Sequence, residues 1–160
     1  MDLKIIEDAL FAAIAAIGFS SISRLPVRAY PYTAAIAALG HSLRYILMNS
    51  PECGMHIFWA TLIASFFIGT SAVFLSHLAK TPAEACFFPS LLPMIPGIYA
   101  YKTFGGLAGL ILNDGSGVFS FYFYQFAHNG LICVAVLIGM VVGATVPIFI
   151  FKKISFRATR

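Results

Sequence analysis

The chain has 160 residues, of which 60% are apolar and only 10% charged. An ordinary soluble domain is about 25% charged; charges this few cannot cover a globule of this size, and most of the surface must face lipid or other protein. The net charge of +4 gathers into no basic patch with interleaved aromatics, which argues against a nucleic-acid partner. The three cysteines, Cys53, Cys86 and Cys133, lack CxxC spacing, so neither a disulfide framework nor a metal site is expected.

Five apolar segments follow one another. The first is expected from Leu3 to Ile22. Its flank carries Lys4 against Asp2, Glu7 and Asp8, the wrong sign for a signal peptide, so it reads as a retained span. The second is expected from Tyr30 to Met48, the third from His56 to Leu78, the fourth from Ala83 to Leu112 and the fifth from Phe121 to Phe151. Each is long enough for a bilayer crossing, which needs roughly 20 residues. Turn-forming clusters separate them, such as Ser23-Arg24-Leu25-Pro26 and Asn113-Asp114-Gly115-Ser116-Gly117. The expected fold is therefore all-α: one transmembrane domain over residues 1–160, an integral membrane bundle of about five helices.

Charge placement orients the bundle. Arg24 and Arg28 follow the first segment, Lys80 the third, and Lys152, Lys153, Arg157 and Arg160 the fifth. Short cytoplasmic loops gather such residues. Glu52 and Asp114 fall on the opposite side with the N-terminus. Five crossings with the N-terminus outside and the C-terminus cytoplasmic separate the charges; four crossings would put Arg24, Arg28 and Glu52 in one loop. Two GxxxG patterns, Gly105–Gly109 and Gly139–Gly143, suit close helix packing within or between subunits.

The fourth segment contains Leu92-Pro93-Met94-Ile95-Pro96-Gly97-Ile98-Tyr99-Ala100-Tyr101-Lys102. Each proline removes a backbone donor and clashes with the preceding turn, and glycine permits unusual backbone angles. The helix is expected to break near Pro96 and Gly97. Transporters use such broken helices to aim free backbone groups at a substrate; a simple proline kink is the other reading. Lys102 is either an intramembrane cation with a function or a residue snorkelling to the interface.

Gly40-His41-Ser42-Leu43-Arg44 is the second cluster. His41 and Arg44 are spaced i, i+3 and share a helix face. Arg44 can clamp a carboxylate, or it can neutralise a helix end. Histidine titrates near neutral pH, which makes His41 a candidate for a coupling proton, against the plainer reading as a packing residue. Glu84 either suits the start of the fourth helix or is a second proton site. No HExxH, GxSxG or phosphate-binding loop is present, so neither an enzyme nor a cofactor is expected.

Pro26-Val27-Arg28-Ala29, Gly40-His41 with Arg44, and Pro93-Met94-Ile95-Pro96-Gly97 followed by Tyr101 resemble the threonine/serine exporter family, in its small-subunit, YjjB-like type. Arg28, His41, Arg44, Pro93, Pro96, Gly97 and Tyr101 occupy its motif positions. The resemblance implies a multi-pass protein of the bacterial inner membrane that works with a larger, YjjP-like half. It implies proton-driven export of threonine and serine, or of succinate. Arg44, Lys102, Pro96, Gly97 and Tyr101 would then meet substrate, with His41 or Glu84 carrying the proton. A non-transporting assembly subunit and a homo-oligomeric channel are the alternatives.

Overall fold

Runs of alanine, leucine, isoleucine and phenylalanine make helix the only economical backbone here, because it satisfies its own N–H and C=O groups. The computed structural model describes residues 2–51, 53–113 and 115–152. Glu52, Asp114, Lys153, Arg157 and Arg160, which enter the charge pattern above, lie outside the described residues. Among the described residues there is no strand. Six α-helices follow in order: α1 (Asp2–Ile22), α2 (Tyr30–Asn49), α3 (Ile57–Ala79), α4 (Ala83–Leu91), α5 (Gly97–Leu112) and α6 (Ser116–Ile150). Single 3-10 turns at Val27–Ala29 and Leu92–Met94 precede α2 and follow α4.

Three of these helices, over Leu3–Ile22, Ile57–Ala79 and Gly117–Ile150, are long and apolar enough to cross a membrane. The other two expected crossings lack such a helix for different reasons. α2 is 20 residues long, but Gly40, His41 and Arg44 lower its hydropathy. The fourth segment is divided, so that α4 has 9 residues and α5 has 16. α6 starts at Ser116, five residues before the expected Phe121.

The chain forms two compact units, Met1–Met94 with Gly139–Arg160 and Ile95–Ile138. In the first unit, side-chain size sorts the faces. Ala12, Ala16 and Ser20 of α1 are buried, while Leu3, Ile6, Leu10 and Ile14 are exposed. Small residues inside and large apolar residues outside is the pattern of helices packed in lipid. α2 answers with Thr33, Ile36, Ala37, Gly40 and His41. The buried hydroxyls of Ser20 and Thr33 lie 2.9 Å apart, and Ser90 of α4 donates to the Thr33 carbonyl at 2.9 Å.

α3 meets the last turns of α6 through glycine. A Cβ added at Gly143 would come within 2.6 Å of the Leu62 carbonyl oxygen, so the two backbones touch. Gly139 lies against the Phe58 ring. The Gly139–Gly143 pair thus packs within this chain. In the second unit the packing pair is not Gly105 and Gly109. Gly105 has nothing within 4 Å of an added Cβ, whereas Gly106 lies on the Phe126 backbone and Gly109 on the Tyr122 ring. Helical phase explains the difference, since i, i+3 neighbours share a face as well as i, i+4.

Two helix ends in the first unit use the same device. Arg24 and Lys80 have φ of 55° and 50°. Beyond them, Leu25 N–H donates to the Ser20 carbonyl at 3.0 Å and Thr81 N–H to the Ser76 carbonyl at 3.2 Å. These are Schellman closures, in which glycine is the usual left-handed residue. A non-glycine residue there costs roughly 1 kcal/mol. Arg24→Gly and Lys80→Gly are each expected to raise stability by up to about 1 kcal/mol. Thermal unfolding in detergent checks this, and a lowered midpoint would contradict it.

Candidate functional site

Prolines shape the site. Pro89 lies inside α4, Pro93 in the 3-10 turn and Pro96 at the N-cap of α5. In a continuous helix the Leu92 carbonyl would accept from residue 96, but proline has no N–H to give. The Gly97 N–H, which would have served the Pro93 carbonyl, donates instead to the Ile95 carbonyl at 2.8 Å. The Pro93 and Met94 carbonyls are thus released from the helical ladder. A buried carbonyl needs a donor, and α2 brings two.

His41 Nε2 lies 3.0 Å from the Pro93 carbonyl oxygen. Arg44 Nη1 donates to the Met94 carbonyl oxygen at 2.8 Å. Arg44 Nη2 also lies 3.2 Å from His41 Nε2. On the other side of the ring, His41 Nδ1 is 2.6 Å from Asp8 Oδ2 of α1. His41 and Asp8 retain only 11% and 32% of their side-chain exposure. One carboxylate, one imidazole and one guanidinium therefore share a single network closed by two backbone carbonyls. A recess of about 200 Å³ adjoins it, lined by Asp8, Phe11, Ala12, Ala15, His41 and Pro93.

The arrangement has a chemical capacity that an isolated buried arginine lacks. Arg44 has five N–H donors, and the Met94 carbonyl and His41 engage two of its nitrogens. The remaining donors can meet a carboxylate. Asp8 balances the positive charge, which limits the cost of holding Arg44 in an apolar setting.

The other expected site residues fall elsewhere. Glu84 is exposed in the first turn of α4. Arg28 is exposed and donates to the Lys80 carbonyl at 3.2 Å, tying the loop before α2 to the end of α3. Pro96, Gly97, Tyr101 and Lys102 belong to the second unit. There Pro96 and Gly97 open α5, and Tyr101 and Lys102 are exposed on it. In the sequence Asp8 stands only as a flanking charge; the structure adds it to the network. Its register was a usable signal: Asp8, Ala12, Ala16 and Ser20 repeat every four residues along the buried face of α1.

The family profile described as "Threonine/Serine exporter, ThrE" matches residues 8–150. The chain belongs to the threonine/serine exporter family. The profile's description names an exporter, and three long apolar helices mark the chain as a membrane protein. A curated relative from Haemophilus influenzae, described as an uncharacterized protein, is 42% identical over 100 residues, covering 62% of this exporter-family chain and 33% of its own. The matched stretch spans about a third of that relative's length. No solved structure matches the chain.

Proposed function

We propose that this chain is the small subunit of a two-component, proton-coupled exporter of small carboxylate-bearing metabolites: threonine and serine, or succinate. The observation that supports it most is Arg44, held beside His41 at the turn where α4 ends. A guanidinium with free donors, next to a titratable imidazole, suits an anion that moves with or against a proton. Lys102 would supply a second cation, with Pro96, Gly97 and Tyr101 shaping the segment that meets substrate. His41 is preferred over Glu84 as the proton carrier, because Glu84 is exposed and lies outside the network.

In this reading the protein crosses the bacterial inner membrane five times, with its N-terminus outside and its C-terminus cytoplasmic. α4 and α5 together form one crossing, broken at Pro93–Gly97. The partner is a larger, YjjP-like half.

The test is uptake of labelled threonine, serine and succinate into proteoliposomes holding this chain, the candidate larger half, or both. Saturable uptake that requires both chains and a proton gradient is expected. Uptake by this chain alone would overturn the two-component reading, and non-saturating flux indifferent to the gradient would identify a channel.

A further inference from the structure

His41 Nε2 faces two partners that it cannot serve at once. The Pro93 carbonyl at 3.0 Å can only accept a hydrogen bond, and the Arg44 Nη2 at 3.2 Å can only donate one. With a bare Nε2 the imidazole accepts from Arg44 and leaves the carbonyl unserved. With a proton on Nε2 it donates to Pro93 and its contact with Arg44 becomes repulsive. Which state holds is decided on the far side of the ring. Asp8 lies 2.6 Å from Nδ1. At that distance a carboxylate and an unprotonated nitrogen repel, so Asp8 keeps the first ring proton on Nδ1. Nε2 is then the ring atom left to take a second proton.

We propose that Asp8 and His41 form one proton-binding site whose occupancy switches His41 Nε2 between Arg44 and the Pro93 carbonyl. The ligand is a proton, taken from the adjoining recess onto Nε2. Asp8 is a positioning residue: it acts through the imidazole by fixing its tautomer. Gaining the proton takes the group of three from neutral to a net charge of +1 and frees Arg44 Nη2 for an incoming carboxylate. Proton binding and anion binding then favour one another, and by linkage each raises the affinity of the other equally. This deepens the exporter reading and rests on it for the coupling, though not for the proton site itself.

The charges around the ring are few. α1 contributes Asp8, while its Lys4 and Glu7 are exposed and make no bond to the pair among the described residues. α2 contributes Arg44 itself. The turn Leu92–Met94 offers only carbonyls. On α3 the one ionisable side chain is His77, exposed in the last turn. On α4, Glu84 is exposed and the Cys86 thiol lies 3.0 Å from the Thr81 hydroxyl. Asp8 and Arg44 are thus the charged groups against His41 among the described residues.

The test is 15N NMR of the full chain labelled at histidine, in lipid bilayers, with the His41 signals assigned by their loss in His41→Gln. Neutral His41 is expected to carry its proton on Nδ1, the reverse of the form that free histidine prefers. Acidification should move only the Nε2 signal into the protonated range. Asp8→Asn should return the neutral ring to the Nε2–H form, and Asp8→Glu should largely keep the Nδ1–H form. A wild-type neutral ring protonated on Nε2 would overturn the proposal, even if Asp8→Asn failed to fold. An Nδ1–H form that persisted in a folded Asp8→Asn protein would overturn it as well. The spectrum is read without any flux measurement. A correct tautomer in a chain that carries no substrate even when reconstituted with its larger partner would therefore sink the exporter reading and leave the proton site standing.

Discussion

Arg44→Gln is expected to lower proton-driven transport by about a hundredfold, with a fold that persists. Charge-assisted hydrogen bonds contribute roughly 1.5–3 kcal/mol, and about 1.4 kcal/mol is a factor of ten. Glutamine can still reach one carbonyl, but it carries no charge to meet a carboxylate. Arg44→Lys should fall between, at about a tenfold loss. Lysine keeps the charge, yet one compact ammonium cannot span the Met94 carbonyl and His41 as the planar fork does. Transport by Arg44→Gln within about twofold of wild type, in a protein that unfolds at the normal temperature, would remove Arg44 from any anion role.

Gly69→Ala should be the most damaging of the small changes in the packed helices. An added methyl would overlap the Ala144 carbonyl oxygen and come 3.0 Å from the Ala144 Cα. Those atoms are backbone, so no side chain can swing aside and α3 must shift as a whole. Overpacking of this kind costs about 1–3 kcal/mol, or a fall of several degrees in the unfolding midpoint. Gly105→Ala is the matched control. Nothing lies within 4 Å of its added Cβ, and alanine is favoured over glycine in a helix by up to about 1 kcal/mol. Its midpoint should equal or exceed that of wild type in detergent. Equal stability of Gly69→Ala and Gly105→Ala would show that α3 and α6 do not approach as closely as described.

Much of the helical layout was legible because lipid solvent imposes long apolar runs, and proline and glycine punctuate them. His41 and Arg44 could be paired from their spacing alone, since i, i+3 residues share a helix face whatever the tertiary fold. Asp8 could not be paired that way. It lies 33 positions before His41, and its neighbours Asp2 and Glu7 made it look like part of a solvated acidic flank. The small-residue register of α1 carried the missing information, because an acidic residue in phase with Ala12, Ala16 and Ser20 must face the neighbouring helix. The Pro93 and Met94 carbonyls followed from the prolines in principle: removing donors frees acceptors. Which side chains would claim them depended on how α2 packs beside the turn, and a one-dimensional pattern does not hold that. The GxxxG spacing points one residue away from the packed glycine face of α5 for a related reason. Gly105 and Gly106 both precede Gly109 at helical spacing, and only the partner helix distinguishes them.

The central claim is that substrate binding and proton binding are coupled at the network of Asp8, His41 and Arg44. The most direct measurement is substrate-induced proton movement in proteoliposomes containing this chain and its larger partner, read with a trapped pH dye while labelled substrate is added. The predicted result is a proton flux that appears with threonine, serine or succinate, and that is lost in His41→Gln while the complex still forms. Substrate flux that continues unchanged when a protonophore collapses the gradient, and that His41→Gln leaves intact, would contradict it.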